Sequence, residues 1–415
     1  MKYFIAIAVV VFLLIGGGFV WMNIQFPIET PSPLQDDARD ILPELILVAR
    51  STAFSDGSSV EFRLPQEFSV SAAAEQLGKA RFMAKSPDGR LFVTDMVNAS
   101  DNLQGKIYVL GEFDVSSQRF NKKDVYLSNL RNPNSLAFYT ELSGTQWIYI
   151  ALTDKLIRYP YRNGDIRPSG QEQVIARFPD YGNSFLQGGW HLTRTVAIHE
   201  DKIYVSVGSS CNACEEKPEE LRAMILEMNP DGSNQQVYAR GLRNAVGLKW
   251  VDSRLYATEM GSDHLGDDKP SEPFFKIEKD KHYGWPYCYQ DNGQVRADDS
   301  RIWSGKNIQC AAVPVAFAAF PAHSAPLGLE YFGEQGPESL RGSFLVALHG
   351  SGNVNIGTGY SLVRVAPDGT VETFMDGFLS NGKRVARPVD VLRWDSDSFF
   401  VSDDYTGKLF YIQEK

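Results

Sequence analysis

The chain has 415 residues, 43% of them hydrophobic and 22% charged, with a formal net charge of −10. This composition excludes a disordered or collagen-like chain, and the negative charge disfavours a nucleic-acid-binding surface, which needs clustered Lys and Arg. The 35 glycines, 21 prolines and 12% aromatic residues favour an all-β protein of many short strands.

The N-terminus predicts export. Residues 3–24 follow Lys2 as a largely apolar, uncharged run that would span roughly 30 Å as a helix. The run is not followed by the small residues that mark the cleavage site of a signal peptide, so residues 1–24 are predicted to form a transmembrane signal-anchor helix. Cleavage after residues 16–18 is the alternative, and both leave the remaining chain on the periplasmic or extracellular side. Residues 25–59 are predicted to form a tether and a short packed segment.

Residues 60–415 repeat one pattern six times: a glycine or proline, an apolar strand, a tight turn often of the Pro-Asp-Gly kind, and a second strand. The six copies occupy residues 80–95, 134–151, 191–232, 245–277, 327–369 and 387–412. Repeats of this length are compatible with blades of about four strands each. No segment shows a helical period over three turns, which disfavours an α/β fold. We therefore predict a six-bladed β-propeller, whose functional residues would lie in loops around one mouth.

The most polar of these loops lie between Gly188 and Tyr289. His191 stands just before a predicted strand. Histidine titrates near neutrality and can accept a hydroxyl proton as a general base. A hydrogen-bonded structural histidine is the alternative.

Arginines occupy the same position in other copies, at Arg131, Arg243 (followed by Asn244) and Arg387. A buried arginine needs an anionic partner. For Arg243 this could be an ion pair with the nearby acidic loop, or a carboxylate of a bound ligand. Several such cations around one mouth predict a polyanionic ligand.

The acidic loop of residues 259–268, together with Glu272, is rich in carboxylates and contains two glycines. Such hard oxygen donors suit Ca²⁺, and a solvated acidic loop is the alternative. The four cysteines form two local pairs, Cys211 with Cys214 and Cys288 with Cys310. The first lacks the second Cys/His pair of a zinc site, and export makes both pairs plausible disulfides.

An ordered set of motifs resembles the L-sorbosone dehydrogenase branch of the soluble quinoprotein glucose dehydrogenase family. The set is Trp190-His191, residues 205–216, Gly241-Leu-Arg-Asn, Gly266-Asp-Asp and Tyr283-Gly-Trp-Pro-Tyr-Cys, with Gly350-Ser-Gly-Asn and Arg387-Pro-Val-Asp in the last copies. The resemblance implies a propeller that binds pyrroloquinoline quinone (PQQ) and Ca²⁺ at its mouth. It also implies oxidation of an aldose or sugar aldehyde, such as sorbosone, by hydride transfer to the quinone. A membrane electron acceptor would fit the predicted anchor.

The resemblance also implies roles for single residues at the mouth. His191 matches the base that removes the substrate hydroxyl proton. The cofactor would be bound by Arg243, Asn244 and Arg387, with Asn134 as a further contact.

The metal roles that the resemblance implies fall on the acidic loop and its neighbours. Gly261 and Ser262 match the positions whose backbone carbonyls ligate the calcium of the cofactor. Glu272 and Tyr283 match a second, structural Ca²⁺ site.

The chain departs from the family at the fifth-blade loop. Leu348-His349-Gly350 stands where the glucose dehydrogenases have a cofactor-binding lysine, and His349 or His323 is the expected substitute. Without compensation, losing one cationic contact would weaken anion binding by roughly 1–3 kcal/mol. A propeller scaffold without cofactor and a calcium-dependent lactonase-type hydrolase are the alternative functions.

Overall fold

The computed structural model describes residues 42–180, 190–215, 221–301, 303 and 308–415, together with two short strands near the N-terminus. It divides into two units, residues 1–42 and 43–415. In the first unit, β1 (Leu14–Ile15) pairs antiparallel with β2 (Gly18–Phe19). These two strands differ from the helix predicted there, and the rest of the predicted anchor lies outside the described residues. Within the described part of the chain, no helix has the length and apolar character needed to cross a membrane.

The second unit is a six-bladed β-propeller, which confirms the predicted fold. It begins with β3 (Leu47–Ala53), β4 (Ser59–Pro65) and β5 (Phe68–Ala74). Blade one contains β6 (Ala80–Lys85), β7 (Leu91–Asp95), β8 (Gly105–Asp114) and β9 (Arg119–Leu130). Blade two contains β10 (Ser135–Thr140), β11 (Gln146–Ala151), β12 (Lys155–Tyr161) and β13 (Gln173–Arg177). Blade three contains β14 (Arg194–His199), β15 (Lys202–Val207), β16 (Met224–Met228) and β17 (Gln236–Arg240).

Blades four and five carry additional short hairpins in their connections. Blade four and its hairpin contain β18 (Ala245–Val251), β19 (Arg254–Glu259), β20 (Glu272–Ile277), β21 (Cys288–Asp291), β22 (Gln294–Ala297) and β23 (Ala318–Phe320), with β21–β22 as the hairpin. Blade five and the following hairpin contain β24 (Pro326–Phe332), β25 (Ser343–Leu348), β26 (Ser361–Val365), β27 (Val371–Met375), β28 (Leu379–Ser380) and β29 (Lys383–Arg384). Short 3₁₀ helices occupy Asp263–Leu265, Cys310–Ala312 and Glu338–Leu340.

Blade six is assembled from both ends of the second unit. It contains β30 (Pro388–Arg393), β31 (Ser398–Asp403) and β32 (Lys408–Glu414), and β5 pairs with β32 as its outer strand. Because β5 comes from the start of the unit, this pairing closes the ring with backbone hydrogen bonds. The β3–β4 hairpin and β5 also supply aromatic residues to one hydrophobic core with blades five and six, including Phe62, Phe68, Phe374, Phe399 and Phe410.

The Pro-Asp-Gly motifs form tight turns at the face opposite the mouth. Gly89, Gly232 and Gly369 adopt φ angles of +81°, +86° and +89°, a conformation that glycine tolerates without steric cost. In each turn the glycine N–H donates to the carbonyl three residues earlier, at 2.9 Å. These connections are short, which leaves the longer loops for the other face.

The six innermost strands, β6, β10, β14, β18, β24 and β30, pack against one another in a ring. In blades one, four and six the innermost strand contains a bulge next to the second strand. A hydroxyl on the second strand accepts the freed N–H and donates to a carbonyl of the next blade. The three hydroxyls and their acceptors are Thr94 to Asn134 O, Thr258 to Leu327 O and Ser402 to Arg81 O, at 2.6–2.7 Å.

Removal of the bridging hydroxyl in blade four is predicted to lower the stability of the fold. Thr258→Val would leave Gly247 N–H and Leu327 C=O buried without the partner that Thr258 Oγ1 now provides at 2.8 and 2.6 Å. We expect the free energy of unfolding to fall by about 1–3 kcal/mol, measured by urea denaturation. The matched control is Thr373→Val, at an exposed position of β27, which should change it by less than about 0.5 kcal/mol.

Candidate functional site

The sequence candidates meet at one face of the ring. Asn134, Asn244 and Arg387 each immediately precede an innermost strand, and His191 stands three residues before β14. The innermost strands surround one axis and run in the same direction, so their starting residues lie around a common mouth.

His191 is held in one orientation by Ser209. Its Nδ1 lies 3.0 Å from the backbone oxygen and 3.0 Å from the hydroxyl oxygen of Ser209. The Ser209 hydroxyl donates its own hydrogen to Cys211 O at 2.6 Å, so both Ser209 oxygens can only accept from the ring. The proton of neutral His191 therefore belongs on Nδ1, and Nε2 carries the lone pair that a general base needs.

The surroundings of His191 keep it neutral. Burial lowers its pKa well below the ordinary value, and the positive charge of Arg243 acts in the same direction. The backbone of His191 adopts a φ of +47°, and its carbonyl accepts from the Arg194 guanidinium at 2.5 Å. An uncharged, fixed imidazole suits proton abstraction.

Asn244 lies beside His191 because Gly208 leaves room for both. A Cβ placed on Gly208 would lie 2.5 Å from Asn244 Oδ1 and 2.6 Å from His191 Cβ. Any larger residue at position 208 would therefore push these two side chains apart. Asn244 is anchored by its own backbone N–H, which donates to Glu259 Oε1 at 3.1 Å.

Arg243 is buried, with 3% of its side chain exposed, and it does form the ion pair that was one of the two alternatives. Its Nη2 lies 2.8 Å from Asp263 Oδ2. Its Nε and Nη2 also donate to the backbone and side-chain oxygens of Asn212, at 3.0 and 2.9 Å. Because Asp263 is 56% exposed, its carboxylate can be replaced by a ligand carboxylate without leaving a buried charge.

Arg387 is fixed by neutral oxygens. Its Nε donates to His349 O at 3.0 Å and its Nη2 to Gly350 O at 2.6 Å. Neither bond neutralises the guanidinium, and its carbon lies 5.7 Å from the centre of the Tyr360 ring. The geometry suits an anion from the mouth.

A chain of polar contacts links blades five, six, one, two and three around the mouth. His349 Nε2 lies 2.8 Å from Asp404 Oδ1, and Asp404 Oδ2 lies 3.1 Å from Arg81 Nη1. Arg81 Nε donates to Asn134 Oδ1 at 3.1 Å, and Asn134 Nδ2 donates to Thr195 Oγ1 at 3.2 Å. Asn134 is thus used to join blades and to hold Arg81.

His349 does not replace the charge of a lysine. Burial outweighs the attraction of Asp404 and lowers the pKa of His349 to about 4. The neutral ring then donates from Nε2 to Asp404. Arg81 and Lys79 are cations at this edge, and both contact Asp404, at 3.1 Å each. Neither stands out in the sequence, because both lie at or inside an ordinary strand pattern. His323, the other expected substitute, contacts Gly266 O at 2.9 Å and Asp263 at 3.5 Å.

Three of the predicted metal residues, Gly261, Ser262 and Tyr283, line a small cavity together with Arg243 and Glu259. Its volume is about 30 Å³, and Glu272 lies next to it in the chain, between the lining residues Ser271 and Pro273. Both carboxylates are buried. Glu272 Oε2 accepts from Gly261 N–H at 2.5 Å, whereas Glu259 Oε2 is buried without a hydrogen-bond partner.

The cavity has the donor chemistry of a cation site. Burial raises the pKa of Glu259 to about 8 and that of Glu272 to about 7, because two buried carboxylates lack sufficient compensating charge. Tyr283 donates its hydroxyl to Lys276 O at 3.0 Å, which leaves its backbone oxygen as a possible ligand. Among the described residues no group of three or more His, Cys, Asp or Glu is placed to hold a metal. A cation would therefore need backbone carbonyls beside Glu259 and Glu272, and the lone Glu259 oxygen fits that requirement.

Two further sequence predictions have clear outcomes. Arg131 is paired with Asp101 and Asp180, so its charge is already balanced by protein carboxylates. The disulfides Cys211–Cys214 and Cys288–Cys310 are both present, which confirms that prediction and favours an exported protein.

The fold and the mouth define a class of protein: a six-bladed propeller with a fixed, neutral imidazole, arginines and a buried carboxylate at a small cavity. A family model described as TrAA12-like matches residues 62–415, and the chain belongs to this family. The match confirms the predicted relationship to the PQQ-dependent sugar dehydrogenases.

Solved structures share the propeller fold. The holo PQQ domain of pyranose dehydrogenase from Coprinopsis cinerea superposes with a TM-score of 0.68 at 18% identity, covering 85% of this chain and 97% of that chain. A calcium structure of a Trichoderma reesei family AA12 protein gives 0.67 at 16% identity, covering 85% and 96%. The PQQ-bound aldose sugar dehydrogenase of Streptomyces coelicolor gives 0.57 at 19% identity, covering 84% and 99%.

A sequence relative is an uncharacterised protein of Borreliella burgdorferi. It is 28% identical over 251 residues, which cover 58% of this chain. The chain spans 64% of the length of that relative.

Proposed function

We propose that the protein is an exported dehydrogenase that uses PQQ and Ca²⁺ to oxidise an aldose or a sugar aldehyde. One observation carries the proposal: among the described residues His191 Nε2 has no hydrogen-bond partner, while Nδ1 is fixed by Ser209 and Asn244 and Arg243 lie near the ring. The TrAA12-like family supports it, as do neighbours solved with PQQ and in a calcium structure.

The residues of the mouth have separate tasks in this proposal. His191 Nε2 accepts the proton of the substrate hydroxyl, or of the hydrated aldehyde, as the carbon is oxidised. PQQ, when bound, would supply the two-electron acceptor that amino-acid side chains lack. Arg243 and Arg387 would hold its carboxylates, and Asn244 would donate to a ring oxygen. The charge of Arg81 is balanced by Asp404, so it would not replace the missing lysine.

The calcium would be held by the acidic loop. Gly261 and Ser262 would contribute backbone oxygens, and Glu272 and Tyr283 would serve a second, structural position. The buried Glu259 oxygen without a partner supports a cation in this cavity. A positive ion there would offset the cost of burying two carboxylates.

The substrate is a sugar or sugar aldehyde of the sorbosone type, as the resemblance of the sequence implies. The predicted anchor would hold the enzyme near a membrane electron acceptor. Both disulfides support the export part of this proposal.

Reconstitution tests the proposal directly. Purified metal-free protein is incubated with Ca²⁺ and PQQ, and reduction of an artificial dye is followed with a panel of aldoses and sugar aldehydes. Turnover that requires both additions is expected. Lack of PQQ binding at micromolar concentration would refute the proposal. Binding of PQQ without turnover of any sugar would favour a non-catalytic propeller.

The low pKa of His191 predicts the pH dependence of the reaction. A base whose pKa is lowered stays unprotonated, and therefore active, at pH values where an ordinary histidine becomes charged. We expect kcat to stay level as the pH is lowered from 8 to 6, in contrast to the fall that an ordinary imidazole with a pKa of about 6.5 would give. A kcat profile with a half-point near 6.5 would contradict the lowered pKa of His191.

A further inference from the structure

The disulfide-closed loop of residues 211–214 contacts both parts of the candidate cofactor site through one residue, Asn212. The backbone oxygen of Asn212 accepts from Arg243 Nε at 3.0 Å and from Ser262 Oγ at 3.2 Å. Its side-chain oxygen accepts from Arg243 Nη2 and from the backbone N–H of Asp263, both at 2.9 Å. The same residue thus fixes the candidate cofactor-binding arginine and the loop with the candidate calcium-binding carbonyls.

We propose that Asn212, held in place by the Cys211–Cys214 disulfide, is a positioning residue that sets the affinity of the mouth for the quinone. This inference rests on the proposed function. It concerns a residue that would act through Arg243 and the 261–263 loop.

The charge of the partners of Arg243 supports a role in ligand binding. Asp263 fixes the guanidinium and also neutralises it, which weakens its attraction for a ligand carboxylate. Asn212 fixes the guanidinium with two neutral oxygens and leaves its charge available. A guanidinium that is already oriented loses less side-chain entropy when it binds a carboxylate.

The disulfide explains how one loop residue can satisfy so many donors. Asn212 lies between Cys211 and Cys214, and closing so short a loop restricts its backbone. Its carbonyl also accepts from Trp285 Nε1 at 3.1 Å. The loop also contacts Ser209, the residue that orients His191, because the Ser209 hydroxyl donates to Cys211 O at 2.6 Å.

Hydrogen exchange tests the contact without any cofactor. In Asn212→Ala the amide of Asp263 loses its acceptor, so the peptide that contains residues 261–265 should exchange faster than in wild type. Asn212→Asp keeps an oxygen in the same place and should retain the protection. The matched control is Asn229→Ala, in the turn after β16 at the opposite face, where Asn229 Nδ2 donates to Ser233. This change should leave exchange at 261–265 unaltered.

Quinone affinity, measured by equilibrium dialysis or tryptophan quenching in excess Ca²⁺, tests the consequence. For Asn212→Ala we expect a dissociation constant about tenfold higher, since two hydrogen bonds, one of them to a charged group, are lost. The double variant Cys211→Ala, Cys214→Ala should bind more weakly still. Asn212→Asp should also bind more weakly despite normal exchange, because it adds negative charge beside Arg243. Asp263→Asn removes such a charge and should bind at least as tightly as wild type.

The outcomes separate this inference from the proposed function. If wild-type protein binds no quinone, both fail. If wild type binds and Asn212→Ala and the double cysteine variant bind equally well, only the positioning role of Asn212 is overturned. Faster exchange at 261–265 without any change in affinity would also overturn it, since the contact would then serve the fold alone.

Discussion

His191→Gln is expected to lower kcat by about 10²-fold or more, the effect of losing a positioned general base. The amide of glutamine can still hydrogen bond with Ser209 but cannot take up a proton at neutral pH. Quinone affinity should stay nearly unchanged, because the cofactor would be held by Arg243, Arg387 and Asn244. The measurement is steady-state dye reduction at saturating PQQ and Ca²⁺, together with a direct binding curve for the quinone.

His199→Gln is the matched control for this change. His199 belongs to the same blade but ends β14 at the opposite face, where its ring stacks on Trp250 at 4.2 Å. It should keep wild-type kcat. Equal activity of His191→Gln and wild type would make His191 a structural residue, and a parallel loss of quinone binding would indicate a disturbed mouth.

The fold could be predicted from the sequence because its signals are local. Six repeats of strand and tight turn, with glycine at positions of positive φ such as Gly89, are visible within short windows of sequence. The closure of blade six by β5 was not predictable in this way. That pairing joins residues near 70 to residues near 412. A local sequence pattern does not indicate which distant strand will be the hydrogen-bonding partner.

The candidate site could be proposed from the sequence where the residue type alone suggests a chemistry. His191 and Arg243 stood out as polar residues at strand starts. Arg131 looked equivalent to Arg243, but its partners Asp101 and Asp180 come from separate loops. Such tertiary contacts decide whether the charge of an arginine is neutralised by buried protein carboxylates or can bind a ligand. The orientation of His191 likewise depends on where the Ser209 hydroxyl donates its hydrogen, which only the folded loop determines.

The buried carboxylates of the acidic loop predict that Ca²⁺ stabilises the folded protein. Glu259 lines the cavity, and the buried Glu272 stands between the lining residues Ser271 and Pro273, so a cation there would interact with both of their charges. For a site filled at a hundredfold excess over its dissociation constant, the stabilisation is about 2.7 kcal/mol. In a domain of this size we expect a rise in Tm of a few degrees, measured by calorimetry of metal-free protein with and without Ca²⁺.

Glu259→Gln and Glu272→Gln should each abolish most of this calcium-dependent rise, since the amides keep the shape of the side chains but remove their charge. The Gly261 N–H would still have an oxygen acceptor at position 272. Glu227→Gln is the matched control: Glu227 is also buried, but Lys279 Nζ lies 3.1 Å from its carboxylate, so its charge has a protein partner. This variant should be less stable than wild type yet show the full response to Ca²⁺. An undiminished response in the two cavity variants would place the calcium elsewhere. If these variants lose both the calcium response and quinone affinity, the calcium site and the cofactor site are coupled. This coupling is expected because the cavity is lined by residues of the mouth, Arg243 and Gly261 among them.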